Sequence, residues 1–95
     1  MMDIDEFGAA ISDKTRLRLI EIIHDEGPLT SKQAHSEFVT KYDDRRRESI
    51  YKALEKLVEV GILSKEYKGT EDGLVYELQH NIVEINLALG EIQLE

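Results

Sequence analysis

The chain has 95 residues, enough for one domain, and its 41% hydrophobic content is ordinary for a compact fold and too high for a disordered tail. It contains no cysteine, which excludes disulfide scaffolds, cysteine-based zinc fingers and thiolate nucleophiles. The 12 basic residues are outnumbered by 20 acidic ones, and a net charge of −8 argues against indiscriminate binding to a polyanion.

The first half of the chain has the apolar spacing of helices. Ile4, Phe7 and Ile11 predict a short helix over residues 4–11. A second helix over about 14–24 follows a cap at Ser12 or Asp13 and ends at Gly27, since the proline after it cannot continue a helix. Its apolar face contains Leu17, Leu19, Ile20, Ile22 and Ile23.

The next two helices have clear start and stop signals. Thr30 with Gln33 three residues later predicts a capping box at the start of the third helix. Asp44 is a predicted cap for a fourth helix, which ends at Gly61 in a Schellman turn. The buried face of the fourth helix contains Ile50, Ala53, Leu54, Leu57 and Val58.

The rest of the chain predicts a hairpin and a last helix. Leu63, Tyr67, Leu74, Tyr76 and Leu78 alternate around the polar sequence GTEDG (69–73), as in a two-stranded hairpin. Asn81 and Glu84 then form a cap-like pair, which predicts a C-terminal helix over 81–95. The apolar stripe of this last helix contains Ile82, Ile85, Leu89 and Ile92.

Three helices followed directly by a hairpin are the layout of a winged helix-turn-helix. SDKTRLRLIEII (12–23), GPLTSKQA (27–34) and SIYKALEKLVEVGIL (49–63) resemble the ArsR-like winged-helix transcription regulators of bacteria and archaea. IYKALEKLVEVGIL also resembles the matching helix of PadR-type and archaeal TrmB-type regulators. KYDDR makes the helix-turn-helix longer than is usual in ArsR-like proteins, and the cysteine or His/Asp ligands of their metal-sensing members do not appear.

We therefore expect a mainly α protein with a small β-hairpin: a winged helix-turn-helix with flanking N- and C-terminal helices. The sequence predicts one domain over 1–95, with the core at about 12–78 and the helix at 81–95 as a dimerisation element. No apolar run is long enough to span a membrane, and no signal peptide precedes the first helix, so we expect a cytoplasmic protein without a membrane partner.

The charge distribution suggests where DNA would bind. Residues 41–68 contain eight basic and six acidic residues, net +2, whereas the rest of the chain is net −10. In the fourth helix, the basic and polar side chains lie at or beside the face opposite the apolar one, where arginine can bond a guanine edge. The predicted contacts are Arg45, Arg46, Arg47, Ser49, Tyr51 and Lys52 in or before this helix, Lys65 and Lys68 in the wing, and Thr30 and Ser31 at a helix N-terminus.

Other interpretations of these residues remain open. A charged face opposite a buried stripe is also what an ordinary surface helix shows, with exposed ion pairs worth about 0–1 kcal/mol each. His80 and Glu84 could share a metal ion, but two ligands do not make a site, so we expect no metal and no cofactor. No catalytic motif is present, and we expect no enzymatic activity.

The predicted terminal helices carry apolar stripes outside the core, which need a partner. The predicted dimerisation residues are Ile4, Phe7, Ile85, Leu89 and Ile92, although both helices could instead fold back onto their own domain. The sequence thus predicts a dimeric, sequence-specific regulator that binds double-stranded DNA, with its small-molecule effector unknown. The alternative is a winged-helix protein-interaction module whose acidic surface meets a basic partner or mimics DNA.

Overall fold

Four helices and two small sheets form the fold in the computed structural model, which describes residues 2–68, 73–79, 83–86 and 91–94. The helices are α1 (Ile4–Ile11), α2 (Lys14–Glu26), α3 (Ser31–Lys41) and α4 (Arg47–Glu59). The strands are β1 (Met2–Asp3), β2 (Leu63–Tyr67), β3 (Leu74–Leu78), β4 (Val83–Asn86) and β5 (Glu91–Leu94).

The first two helices pack against each other within the chain. The side chain of Asp13 caps α2 by accepting a hydrogen bond from the backbone N–H of Arg16 at 3.1 Å. The guanidinium group of Arg16 reaches back to α1, where its Nε donates to the carbonyl oxygen of Ala10 at 2.7 Å. Phe7 is only 8% exposed, so the apolar face of α1 lies on its own domain. This was one of the two predicted arrangements.

The helix-turn-helix forms the core as its apolar pattern predicts, except at Leu17, which was predicted on the apolar face of α2 and is 47% exposed. Thr30 and Gln33 make the reciprocal hydrogen bonds of a capping box, which confirms the predicted start of α3. The turn before it follows Gly27, whose φ of 86° favours glycine at the end of α2. The fully buried side chains of the three helices are Leu19, Ile22, Ile23, Phe38, Ile50, Leu54 and Leu57.

The fourth helix begins later than its predicted cap, so the assignment of Asp44 as the cap was wrong. The cap is Arg46, whose side chain makes no capping hydrogen bond. Two contacts keep the preceding segment extended: Arg45 pairs with Asp43 at 3.1 Å, and the Nε2–H of His35 donates to the carbonyl oxygen of Arg45 at 2.7 Å. Because these contacts hold the segment before the helix, the cap lies at Arg46, two residues after Asp44.

The wing follows α4 without a linker. The N–H of Ile62 bonds the carbonyl of Leu57 and the N–H of Gly61 bonds that of Val58, which is the predicted Schellman ending. β2 and β3 then pair antiparallel, and Lys65 lies opposite Tyr76. The predicted hairpin is confirmed, and most of its GTEDG tip (69–72) lies outside the described residues.

The segment predicted as a C-terminal helix contains strands instead, so the helix over 81–95 was wrong. β4 and β5 pair antiparallel, with Ile85 opposite Ile92, and β5 also pairs with β1. Within each strand, apolar and polar residues alternate as VEIN and EIQL, which is the period of a strand. The spacing of Ile85 and Ile92 fits a helix as well, but β-branched residues favour strands.

Two backbone hydrogen bonds join the wing to the turn between α2 and α3. The N–H of Leu29 donates to the carbonyl of Tyr76 at 3.1 Å, and the N–H of Tyr76 donates to the carbonyl of Leu29 at 2.7 Å. Leu29, whose side chain packs against the core, thus forms a strand-like bridge with β3. The bridge fixes β3 relative to the start of α3, which brings the wing beside the helix-turn-helix.

Candidate nucleic-acid interface

The N-terminal end of α4 presents two arginines to solvent. Arg46 is the cap residue and Arg47 is the first residue of the helix, and both are exposed. Neither guanidinium group has a hydrogen bond or an ion pair with another described residue. The first turn of a helix also leaves backbone N–H groups without intrahelical partners, which favours an anion nearby. Positive charge is therefore concentrated at this end of α4.

The third arginine of the run behaves differently. Arg45 pairs with Asp43 at 3.1 Å, donates to the carbonyl of Asp44 at 3.2 Å and lies 5.9 Å from the ring centre of Phe38. These contacts hold Arg45 against its own loop. Of the RRR sequence, only Arg46 and Arg47 are without a partner among the described residues.

The remaining predicted contacts of α4 lie on its outer face. Ser49, Tyr51 and Lys52 are exposed, and the side of the helix formed by Ile50 and Leu54 is buried, as predicted. The ammonium of Lys52 lies 3.2 Å from Glu48, but this pair is mostly exposed to solvent and is therefore weak. A nearby phosphate could replace Glu48 as the partner of Lys52 at little cost in free energy.

A cleft joins the start of α4 to the start of α3 and to the wing. Its volume is about 390 Å³, and it is lined by Thr30, Ser31, Lys32, Arg47, Tyr51, Leu74 and Tyr76. The ammonium group of Lys32 has no partner among the described residues, so this cleft holds two unpaired cations. Lys32 was not among the contacts predicted from the sequence. Its place two residues after the Thr30 cap was the available signal.

Thr30 and Ser31 differ in what they can offer to a ligand. Thr30 is 7% exposed, and its Oγ1 accepts the N–H of Gln33 at 3.1 Å. Its own N–H donates to the side chain of Gln33 at 2.9 Å, so both groups already serve the capping box. Ser31 is half-buried and lines the cleft, without a partner among the described residues for its hydroxyl.

The two predicted wing contacts are both paired with carboxylates. The ammonium group of Lys65 lies 2.9 Å and 3.1 Å from the two carboxylate oxygens of Glu55. This hydrogen bond raises the pKa of Lys65 above its usual value. Lys68 lies 3.2 Å from Glu66 in a more exposed pair. Neither ammonium group is free in the way that Arg46 and Arg47 are.

Glu55 and Tyr76 were not predicted as functional residues. The hydroxyl of Tyr76 donates to Glu55 at 2.6 Å, and this hydrogen bond holds the pKa of Glu55 below its usual value. Burial, reinforced by the bond to Glu55, raises the pKa of Tyr76 well above its usual value. The partners come from α4 and β3, so the contact depends on the tertiary fold and no local pattern indicates it.

The predicted dimerisation residues fall into different environments. Phe7 is buried in its own chain and Ile4 packs against the same core, which leaves them little surface for a second subunit. Ile85 and Ile92 are register partners on β4 and β5. Leu89 lies outside the described residues.

The described residues contain no group of three or more His, Cys, Asp or Glu side chains that could hold a metal ion. His24 contacts the carboxylate of Asp25 at 3.2 Å and His35 contacts the loop before α4, while His80 lies outside the described residues. Among the helices of the described part of the chain, none is long and apolar enough to cross a membrane.

The winged-helix fold is that of the DNA-binding domains of ferric uptake regulators. A structure of the Vibrio cholerae ferric uptake regulator matches with a TM-score of 0.61 and 17% identity, over 87% of this chain and 66% of that chain. A structure of the Pseudomonas aeruginosa regulator with manganese matches with a TM-score of 0.62 and 15% identity, over 100% of this chain and 75% of that chain.

This chain thus spans just under two thirds of the V. cholerae regulator. No protein-family model matches the sequence, and no curated protein matches it. The structural matches confirm the predicted winged-helix fold. They do not confirm the ArsR-like assignment, which stays a prediction.

Proposed function

We propose that this protein is a sequence-specific, DNA-binding transcription regulator of the winged helix-turn-helix type that acts as a homodimer. The observation that carries the proposal is the position of the unpaired cations. Of the 12 basic residues, those without a partner among the described residues are Lys14, Lys32, Arg46 and Arg47. Lys32 and Arg47 line one cleft, and Arg46 precedes Arg47 at the end of α4 that enters the major groove in this fold.

Each part of the interface then has a distinct task. Arg46 and Arg47 have the paired N–H groups that match the O6/N7 edge of guanine, so they read bases. Ser49, Tyr51 and Lys52 complete the reading surface. Lys32 and Ser31 contact the phosphate backbone from the start of α3, and Lys68 contacts it from the wing. The backbone contacts orient the protein, and the contacts of α4 select the sequence.

A homodimer doubles this limited set of contacts. Two-fold symmetry would place two copies of α4 about 34–36 Å apart, which is one turn of DNA. The sheet of β1, β5 and β4 supports such an interface because it brings the predicted dimerisation residues Ile85 and Ile92 together as register partners. The regulators with the same fold support the assignment to gene control.

The decisive experiment is selection from a random DNA pool at 50 mM salt with the purified chain, followed by titration of the selected sequence at rising salt. We expect one enriched palindrome. A dimer that neutralises about six phosphates should lose about 10³-fold in affinity between 50 and 200 mM salt. A Lys41→Ala/Lys56→Ala variant, which removes two paired cations that do not belong to the proposed contacts, should select the same palindrome.

The opposite result is equally clear. If no sequence is enriched and no DNA is bound at 50 mM salt, the protein is not a DNA-binding regulator. Retention of a basic protein partner in the same preparation would then favour the interaction module.

A further inference from the structure

Glu55, Lys65 and Tyr76 form one cluster between α4 and the wing. Lys65 and Tyr76 lie opposite each other on β2 and β3, so their side chains leave the hairpin on the same face. Both reach the carboxylate of Glu55: the hydroxyl of Tyr76 at 2.6 Å and the ammonium of Lys65 at 2.9 and 3.1 Å. One carboxylate therefore receives two donors from the wing.

This cluster is more sheltered than the other ion pairs in the described part of the chain. The side chains of Lys65 and Glu55 are 30% and 31% exposed, compared with 43% and 59% for Lys68 and Glu66. Tyr76 is only 2% exposed. A charged pair with two short contacts in a half-buried place holds its geometry better than an exposed pair, where water competes for both partners.

The cluster also lies beside the candidate interface. Arg47, Tyr51 and Glu55 are spaced four residues apart, so they follow one line along α4. Arg47, Tyr51 and Tyr76 line the same cleft. Glu55 is therefore two turns behind the exposed arginine, about 12 Å along the helix axis. The ammonium of Lys65 contacts Glu55, so it lies at the end of this line that is farther from Arg47.

We propose that Glu55 is a positioning residue of the DNA-binding surface: it ties the wing to α4 through Tyr76 and withholds the charge of Lys65 from the DNA backbone. This inference rests on the proposed function. The wing then contributes little to the electrostatic attraction of DNA, because Glu55 already balances the charge of Lys65 before DNA binds. The cations that attract phosphate are then those at the starts of α3 and α4, with Lys68 as the contact from the wing.

The two roles of Glu55 can be separated by substitution. In Glu55→Gln, the amide oxygen can still accept the hydroxyl of Tyr76, but the charge that holds Lys65 is gone. Lys65 is then free to contact a phosphate. We expect Glu55→Gln to bind the selected DNA more tightly at 50 mM salt and to steepen the salt dependence by about 0.9 per subunit. Lys65→Met alone should leave the slope unchanged, and the double variant should restore the wild-type slope.

Glu59→Gln is the matched control. It removes one carboxylate from the same helix and frees Lys56, which lies 3.6 Å from Glu59. Glu59 is about 18 Å along the axis from Arg47, at the far end of α4. The slope of this variant should equal that of the wild type. A general effect of net charge would steepen both variants equally and would overturn the proposal.

Amide hydrogen exchange tests the tie between the wing and α4 without DNA. Glu55→Ala should speed exchange in β2 and β3 but not in α2, and Glu55→Gln should restore slow exchange. Unchanged exchange in Glu55→Ala would overturn the positioning role. An unchanged slope in Glu55→Gln, or a shallower slope in Lys65→Met, would overturn the withheld charge. Failure of the wild type to bind DNA would instead refute the proposed function.

Discussion

The N-terminal end of α4 and the wing both carry basic side chains, but they present them in opposite ways. Arg46 and Arg47 have no partner among the described residues, whereas Lys65 and Lys68 each face a carboxylate. In the sequence, all four belong to the same locally basic segment. The difference shows that a count of cations does not give the footprint on DNA. What matters is which cations have acidic neighbours in the fold.

The largest expected effect concerns the unpaired arginines at the N-terminal end of α4. The double substitution Arg46→Ala/Arg47→Ala should abolish specific DNA binding, because each lost guanine contact costs about 1–3 kcal/mol. Stability should stay within about 1 kcal/mol, since both side chains are exposed and have no hydrogen bond or ion pair with another described residue. Fluorescence anisotropy with the selected palindrome and urea denaturation measure the two quantities.

Lys65→Met/Lys68→Met is the control for that prediction, since it removes two cations from the wing. A loss as large as that of the arginine variant would erase the distinction between the two regions.

The next largest effect concerns the wing and the hydrogen bond by which it stabilises the fold. Tyr76→Phe removes only the hydroxyl that bonds Glu55, and we expect a loss of about 1–2 kcal/mol in the free energy of unfolding. Tyr67→Phe is the matched control, because Tyr67 is 66% exposed in the same hairpin and should change stability little. Urea denaturation at neutral pH is the measurement. Equal effects from the two variants would mean that the bond to Glu55 contributes nothing.

A smaller effect is expected at the start of α3, where Thr30 is a structural residue and Ser31 is a proposed DNA contact. Thr30→Ala removes the cap of α3 and should cost about 1 kcal/mol of stability. Its hydroxyl is committed to Gln33, so the affinity of the folded variant for DNA should stay near that of the wild type. Ser31→Ala should show the reverse pattern, with little change in stability and weaker DNA binding. Anisotropy titration and urea denaturation of both variants would show whether this assignment of roles is reversed.

The smallest effect is a pH dependence. Since the hydrogen bond from Tyr76 lowers the pKa of Glu55 from its ordinary 4.5, the folded protein holds this carboxylate ionised more strongly than the unfolded chain does. The stabilisation is complete above the ordinary value and is lost as pH falls through the lowered one. Wild type should therefore exceed Glu55→Gln in stability at pH 7 and lose that advantage in acid. Urea denaturation at several pH values measures the gap, and a gap that widens in acid would contradict the assignment.

The sequence predicted most of the fold because its signals there are local. The capping box at Thr30, the turn at Gly61 and the apolar face of α4 each depend on residues within a few positions of one another. Both arginines that define the candidate interface were named because they directly precede the apolar pattern of α4, even though the cap was placed two residues too early.

The errors came where two patterns coincide or where partners are distant. Ile85 and Ile92 satisfy a helical spacing and a strand alternation at once, and the pairing of β5 with β4 and β1 favours the strand. The contact of His35 with the loop before α4 moved the helix start past Asp44. The pairing of Lys65 with Glu55 spans two elements, so the charge of Lys65 looked available in the sequence.

The bridge between Leu29 and Tyr76 also protects the wing from unwanted association. An isolated hairpin exposes unpaired N–H and C=O groups along its outer edge, where a foreign strand can add and begin aggregation. Here Leu29 occupies that edge at Tyr76, and Pro28 beside it has no N–H with which to extend the pairing. A single residue of the preceding turn thus closes the middle of the edge, and Leu29→Pro would remove the N–H that donates to the carbonyl of Tyr76.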